Sequence, residues 1–146
     1  MSTSPDPFDL DRFVQAQAAH YADAIAELQA GRKTTHWSWY VLPQLAGLGT
    51  SPMARRYAIA SLDEARAYLA HPVLGPRLHA CVSAINGHPD LTADAILGPV
   101  DAMKFRSCLT LFLQVAPEAT DLQAALDTFF GGEPDPATLS RLAGGT

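Results

Sequence analysis

The chain has 146 residues, 48% hydrophobic and 17% charged, the size and balance of one domain with a sizeable packed core. Ten Lys and Arg against fifteen Asp and Glu leave a net charge of −5, which argues against nucleic-acid binding, since that draws on a basic footprint. No apolar run approaches the roughly 20 residues of a membrane span, and the opening MSTSPDPFDL lacks the basic and apolar regions of a secretory signal, so a cytoplasmic protein without a membrane partner is expected.

Residues 1–7 read as a short disordered tail and 8–146 as a single helical domain. Leu10, Phe13, Val14, Gln17, Tyr21, Ile25 and Leu28 recur every three or four positions and stop at Gly31, the pattern of an amphipathic helix closed by glycine. The stretch TTHWSWYVLPQ, residues 34–44, follows and holds both tryptophans. Trp37, Trp39 and Val41 alternate as on a strand, while His36, Trp39, Tyr40 and Pro43 also fit one helical face. With no second strand to pair with, a short helix ending before Pro43 is expected.

GLGTSP, residues 47–52, is loop chemistry that ends on Ser51 as N-cap and Pro52 at the first helical position. Ser61 to Glu64 fits a capping box, and its helix should end before His71-Pro72, because proline disfavours helix at the preceding residue. Pro72 opens a helix carrying Leu74, Leu78, Cys81 and Ile85 to near Gly87. Thr92 caps a short one ending at Gly98, and Asp101–Ala116, Asp121–Phe130 and Asp135–Leu142 complete the set. The expected fold is all-α, a single domain of seven to nine mostly short helices in an irregular orthogonal array. Its centre is the helix at about 101–116, which is apolar over well over a third of its circumference.

Cys81 and Cys108 sit in apolar-periodic segments without a partner motif and read as buried thiols. The five histidines form no HExxH, so no metal site and no cofactor are implied.

Three groups of residues could carry chemistry. Lys104 falls at the edge of the apolar arc of the central helix, Asp101 projects toward that arc and Ser107 belongs to the polar stripe; Asp101 either caps the helix with Lys104 along the surface, or the three face a cleft. Gly47 and Gly49 lead into Ser51-Pro52 with Arg55 and Arg56 one turn later, which is either a plain loop or an anion cradle. His36, Trp37, Trp39, Tyr40 and Gln44 are either core or an aromatic wall with hydrogen-bonding groups, suited to a planar ring that carries a phosphate or carboxylate.

HWSWYVLPQLAGLGTSPMARRYAIASLDEARAYLAHPVLGPRL and GPVDAMKFRSCLTLF resemble the bacterial proteins catalogued as domain of unknown function 1810, often mislabelled calpastatin. The resemblance runs from Phe8 to about Leu142. It implies an all-helical single domain and no established activity. The family signature falls on His36, Trp37, Trp39, Pro43, Gln44, Gly47, Gly49, Ser51, Tyr57, Glu64, His71, Pro72, Leu74, Arg77, Asp101, Lys104, Ser107 and Thr110. Cys108 stands where the family commonly has serine, so no essential hydroxyl is expected there. The calpastatin label finds nothing to rest on, because calpastatins are disordered inhibitors and this chain builds a core.

Two functions compete. The first is a small-molecule enzyme or binding protein for an anionic, ring-bearing metabolite of nucleotide or ADP-ribose type. In that reading His36, Asp101 and Lys104 are the catalytic candidates, and Trp37, Trp39, Gln44, Gly49, Ser51, Arg55 and Ser107 bind the ligand. The second is a non-enzymatic protein-interaction module whose signature residues are structural. Whether His36, Gln44, Asp101, Lys104 and Ser107 line one concave pocket discriminates between them.

Overall fold

In a computed structural model of the chain, which describes residues 6–144, every regular element is a helix. The described residues form α1 (Asp11–Gln29), α2 (Ser38–Val41), α3 (Pro52–Arg56), α4 (Leu62–Ala70), α5 (Leu74–Asn86), α6 (Ala93–Leu97), α7 (Pro99–Val115), α8 (Thr120–Phe130) and α9 (Pro136–Gly144). The expected all-α single domain around a central apolar helix is the fold observed. That helix is α7, which buries Ala102, Phe105, Cys108, Leu109, Leu111, Phe112 and Leu113. It packs against α4, α6, α8 and α9, while α1 lies on α5 and α2.

The punctuation of the sequence sets most helix ends. Gly31 adopts φ +80° behind α1, a backbone region that L side chains avoid. The hydroxyls of Ser51, Ser61 and Thr92 each accept from the backbone N–H three residues on, at 3.0–3.1 Å, which satisfies one of the orphan donors of a first turn. Glu64 completes its capping box one residue further back than expected: its carboxylate accepts from Ala60 N–H at 2.9 Å and from Arg12 at 2.8 Å. The same arginine donates to the carbonyls of Arg56 and Ala58, so one guanidinium straps α1 to α3 and α4.

Two helix starts move by two residues from expectation. The start of α5 moves from Pro72 to Leu74, with Val73 as N-cap; ahead of it His71 Nδ1 accepts from Val73 and Leu74 N–H at 3.0 and 3.3 Å and holds the turn. The central helix starts at Pro99, since Gly98 at φ +86° turns the chain and proline fits the first helical position. Of the expected tail, residues 1–5 lie outside the described residues; Asp6 accepts from Leu10 and Asp11 N–H at 2.8 and 2.9 Å and belongs to the α1 start.

The tryptophan segment enters the core through its first indole. Trp37 is 0% exposed, and its Nε1–H donates to Glu27 of α1 at 3.0 Å. Trp39 is only partly buried. The chain then passes through a single parallel bridge, Leu45 to Ile59, that fixes the loop after α2 beside the end of α3.

Candidate functional site

The site begins with Glu27. Its carboxylate accepts from Thr34 N–H at 2.7 Å, Thr35 N–H at 3.0 Å, the Thr35 hydroxyl at 2.6 Å and the Trp37 indole at 3.0 Å. Burial alone would raise its pKa, but these four donors outweigh it and hold the carboxyl at about 2. The turn between α1 and α2 is thereby clamped, and Lys33, whose N–H donates to Ile96 O at 2.7 Å, is placed above the Trp37 ring at 5.1 Å from its centroid.

Lys33 meets Asp101 in the first turn of α7. Its ammonium lies 2.8 Å from Asp101 Oδ2, and its side chain is 6% exposed. Ser38 Oγ donates to Asp101 Oδ1 at 3.1 Å, and the Lys104 ammonium stands looser at 3.6 Å. Burial pushes the Asp101 pKa up, but the hydrogen bond and charge of Lys33, the Ser38 hydroxyl and the charge of Lys104 together bring it below the ordinary carboxylate value. Lys104 in turn rests 5.2 Å from the Trp39 ring centroid, within the range of a cation–π contact. Two cations, each on a tryptophan face, flank one carboxylate.

Beside this cluster lies a cleft of about 280 Å³. Gln44, Leu48 and Gly49 line it from the loop after α2, Val100, Met103, Lys104 and Ser107 from α7, and Asp135 and Ala137 from the start of α9. Ser107 Oγ donates to Asp135 Oδ2 at 2.8 Å, and the same oxygen accepts from the Thr138 hydroxyl at 2.6 Å and from Thr138 N–H at 3.2 Å. Burial raises the Asp135 pKa, and these donors more than reverse that. The Ser107 hydroxyl proton is thus committed within the protein, to Asp135 or to the Met103 carbonyl at 3.2 Å. The Gln44 side-chain amide makes no hydrogen bond among the described residues and is not buried, so it is left to solvent at the cleft wall. Val100 and Met103 stand at the lip, 67% and 73% exposed.

The structure therefore brings Gln44, Gly49, Lys104 and Ser107 to one cleft, with Asp101 and Trp39 behind Lys104. Trp37 is buried away from it. His36 is exposed, and its described side-chain ring makes no hydrogen bond; its carbonyl accepts from the Tyr40 hydroxyl at 3.3 Å. Ser51 is engaged in capping α3, and Arg55 is exposed on α3; neither lines the cleft. Gly49 is required for packing as well, because a Cβ there would come 2.6 Å from Ala54 Cβ. Sequence reasoning missed Lys33, Ser38 and Asp135. Lys33 and Ser38 matter only through Asp101, which is far along the chain, and Asp135 read merely as a helix start.

A larger cleft of about 490 Å³ lies elsewhere, between the 45–46 loop, α4 and α9. Its Arg66 forms an exposed pair with Asp63 at 2.8 Å and its Arg141 donates to Ala46 O at 2.8 Å, and none of the expected site residues lines it. Among the described residues no group of three or more His, Cys, Asp or Glu is placed to hold a metal ion, and no helix is long and apolar enough to cross a membrane.

Residues 7–142 match the model of a family described as Protein of unknown function (DUF1810). The crystal structure of the conserved hypothetical protein Rv1873 from Mycobacterium tuberculosis is 49% identical to the chain. The match covers 94% of this chain and 99% of that one, with a TM-score of 0.93. No curated protein matches the chain.

Proposed function

We propose the following function for the chain, which belongs to the DUF1810 family of proteins of unknown function: it binds a small anionic, ring-bearing metabolite of nucleotide or ADP-ribose type in the cleft between the 44–49 loop, α7 and α9. One observation carries the reading. The Gln44 amide lines the cleft without a protein partner, beside a Lys104 ammonium whose carboxylate neighbour is 3.6 Å away. A solvent-reaching amide and an ammonium that converge on one cleft from different elements suit a ligand that replaces their water with its own polar groups.

Each group then has a role. Lys104 pairs with the phosphate or carboxylate. Gln44 reads a polar edge of the ligand, Ser107 accepts from a ligand donor, and Leu48, Met103 and Val100 cover the ring. Asp101, held ionised by Lys33, is a poor proton donor at neutral pH. His36 does not line the cleft and has no role in it.

The test is titration of the labelled protein with AMP, ADP-ribose and inorganic phosphate, followed by NMR at the Gln44 side-chain amide and the Trp39 indole. Lys104→Met should weaken the response about tenfold or more, the usual cost of losing a charge-assisted hydrogen bond. Signals that stay in place at millimolar ligand would sink the proposal.

The exposed pair Val100 and Met103 favours a second reading, in which the same lip docks a protein partner, since large apolar side chains at a cleft edge also mark interaction surfaces.

A further inference from the structure

The cleft carries a single lysine, yet the residue that makes its charge usable lies outside it. Asp101 is the carboxylate nearest to Lys104, and left alone with it the two would neutralise each other. Instead Lys33 holds Asp101 Oδ2 at 2.8 Å while Lys104 stands 3.6 Å from Oδ1. Ser38 occupies Oδ1 at 3.1 Å, so both carboxylate oxygens are engaged before Lys104 is counted. Lys33 is fixed in this task from both ends: its backbone N–H is tied to Ile96 O at 2.7 Å and its ammonium is seated over the buried Trp37 ring. The charge count of the cluster is two cations to one anion. The buried cation takes the anion, and the cleft-facing cation is left over.

Building on the cleft reading above, we propose that Lys33 is a positioning residue that neutralises Asp101 and thereby leaves the positive charge of Lys104 to a carboxylate or phosphate group of the ligand. The cleft also carries the Asp135 carboxylate, which Ser107 and Thr138 already engage, so the cation left to pair with an anionic group of the ligand is Lys104, with the rest of the molecule held by Gln44 and the apolar lip.

The proposal has a test that needs no ligand. Brief labelling of the folded protein with acetic anhydride, read by mass spectrometry, reports how freely the Lys104 amine leaves Asp101. In Lys33→Met, Lys104 becomes the main partner of Asp101 and should label about threefold more slowly, as expected for gaining a partly exposed ion pair. Asp101→Asn should leave Lys104 labelling near the wild-type rate, and the double variant Lys33→Met/Asp101→Asn should restore it. Binding of ADP-ribose and inorganic phosphate should follow the same order, weakened about three- to tenfold in Lys33→Met and recovered in the double variant. A merely structural role for Lys33 predicts no such rescue. If Lys104 labels equally in the wild type and Lys33→Met, the assignment is overturned whatever binds. If neither probe binds but the labelling pattern holds, the ligand reading fails and the role of Lys33 stands. Should Lys33→Met not fold, a loss of Lys104 labelling or of anion binding in Asp101→Asn would overturn it.

Discussion

The Arg141 guanidinium occupies the space that a Cβ on residue 47 would fill, and Arg141 Nε donates to the neighbouring Ala46 carbonyl at 2.8 Å. Gly47 sits at φ +93°, so it is doubly constrained, by backbone conformation and by the side chain laid across it. This contact ties α9 to the loop after α2, which forms one wall of the candidate cleft, while the start of α9 forms another. Gly47→Ala should cost about 1–3 kcal/mol, a fall in Tm of several degrees for a chain of this size. Adding Arg141→Ala should return part of that loss by removing the clash. Melting within a degree of wild type for Gly47→Ala would show that the loop accommodates a side chain.

Glu27 predicts an acid-sensitive hinge. Its folded pKa of about 2 lies below the ordinary 4.5, so its stabilising contribution is present above the unfolded value and disappears as the pH falls toward 2. For this partly exposed carboxylate the contribution is on the order of 1 kcal/mol after solvent screening. Glu27→Gln should therefore destabilise the protein at pH 7 and flatten its stability profile between about pH 5 and 2. Parallel profiles for the variant and the wild type would mean that the carboxylate charge does not hold the turn.

The two tryptophans separate core from site. Trp37 is 0% exposed, and Trp37→Ala should cost about 3–5 kcal/mol, as for other large buried aromatics. Trp39 lies partly exposed beneath Lys104, so Trp39→Ala should cost distinctly less and act mainly on ligand binding. Equal losses of stability would place both rings in the core.

This division was not legible in the sequence. A four-residue helix is too short for periodicity to say which indole points inward, and the deciding contact, Glu27 to Trp37, joins two elements. Capping was legible because it is local: Ser51, Ser61, Thr92 and Gly31 each act within a few residues. Gln44, Gly49, Lys104 and Ser107 were legible as members of three local groups, and the fold supplied their proximity. Lys33 had no such signal. It follows a helix-ending glycine like any solvated lysine, and only its seat over Trp37 and its pairing with Asp101 beside Ser38 give it a task.

Cys81 and Cys108 are free and buried. Burial raises the Cys81 thiol to about 12 and the Cys108 thiol further above its ordinary value, so neither supplies thiolate near neutral pH. Both should resist a thiol reagent in the native protein and react together on unfolding, with little acceleration between pH 7 and 9. Fast labelling of either in the native state would reveal local opening of α5 or α7.

The last prediction concerns the lip. Met103 and Val100 are 73% and 67% exposed, so folding buries little of their apolar surface, and substituting them should change stability by no more than about 0.5 kcal/mol. Their value must then lie in what they cover. An inorganic phosphate reaches Lys104 without touching the lip, whereas a ring attached to the phosphate would lie against Met103. Met103→Ser should accordingly weaken ADP-ribose or AMP and leave inorganic phosphate unchanged. The comparison removes any general effect of the substitution, because both ligands meet the same Lys104 charge. If Met103→Ser weakens neither, the lip does not serve a ring, and its exposed apolar pair belongs instead to a protein partner.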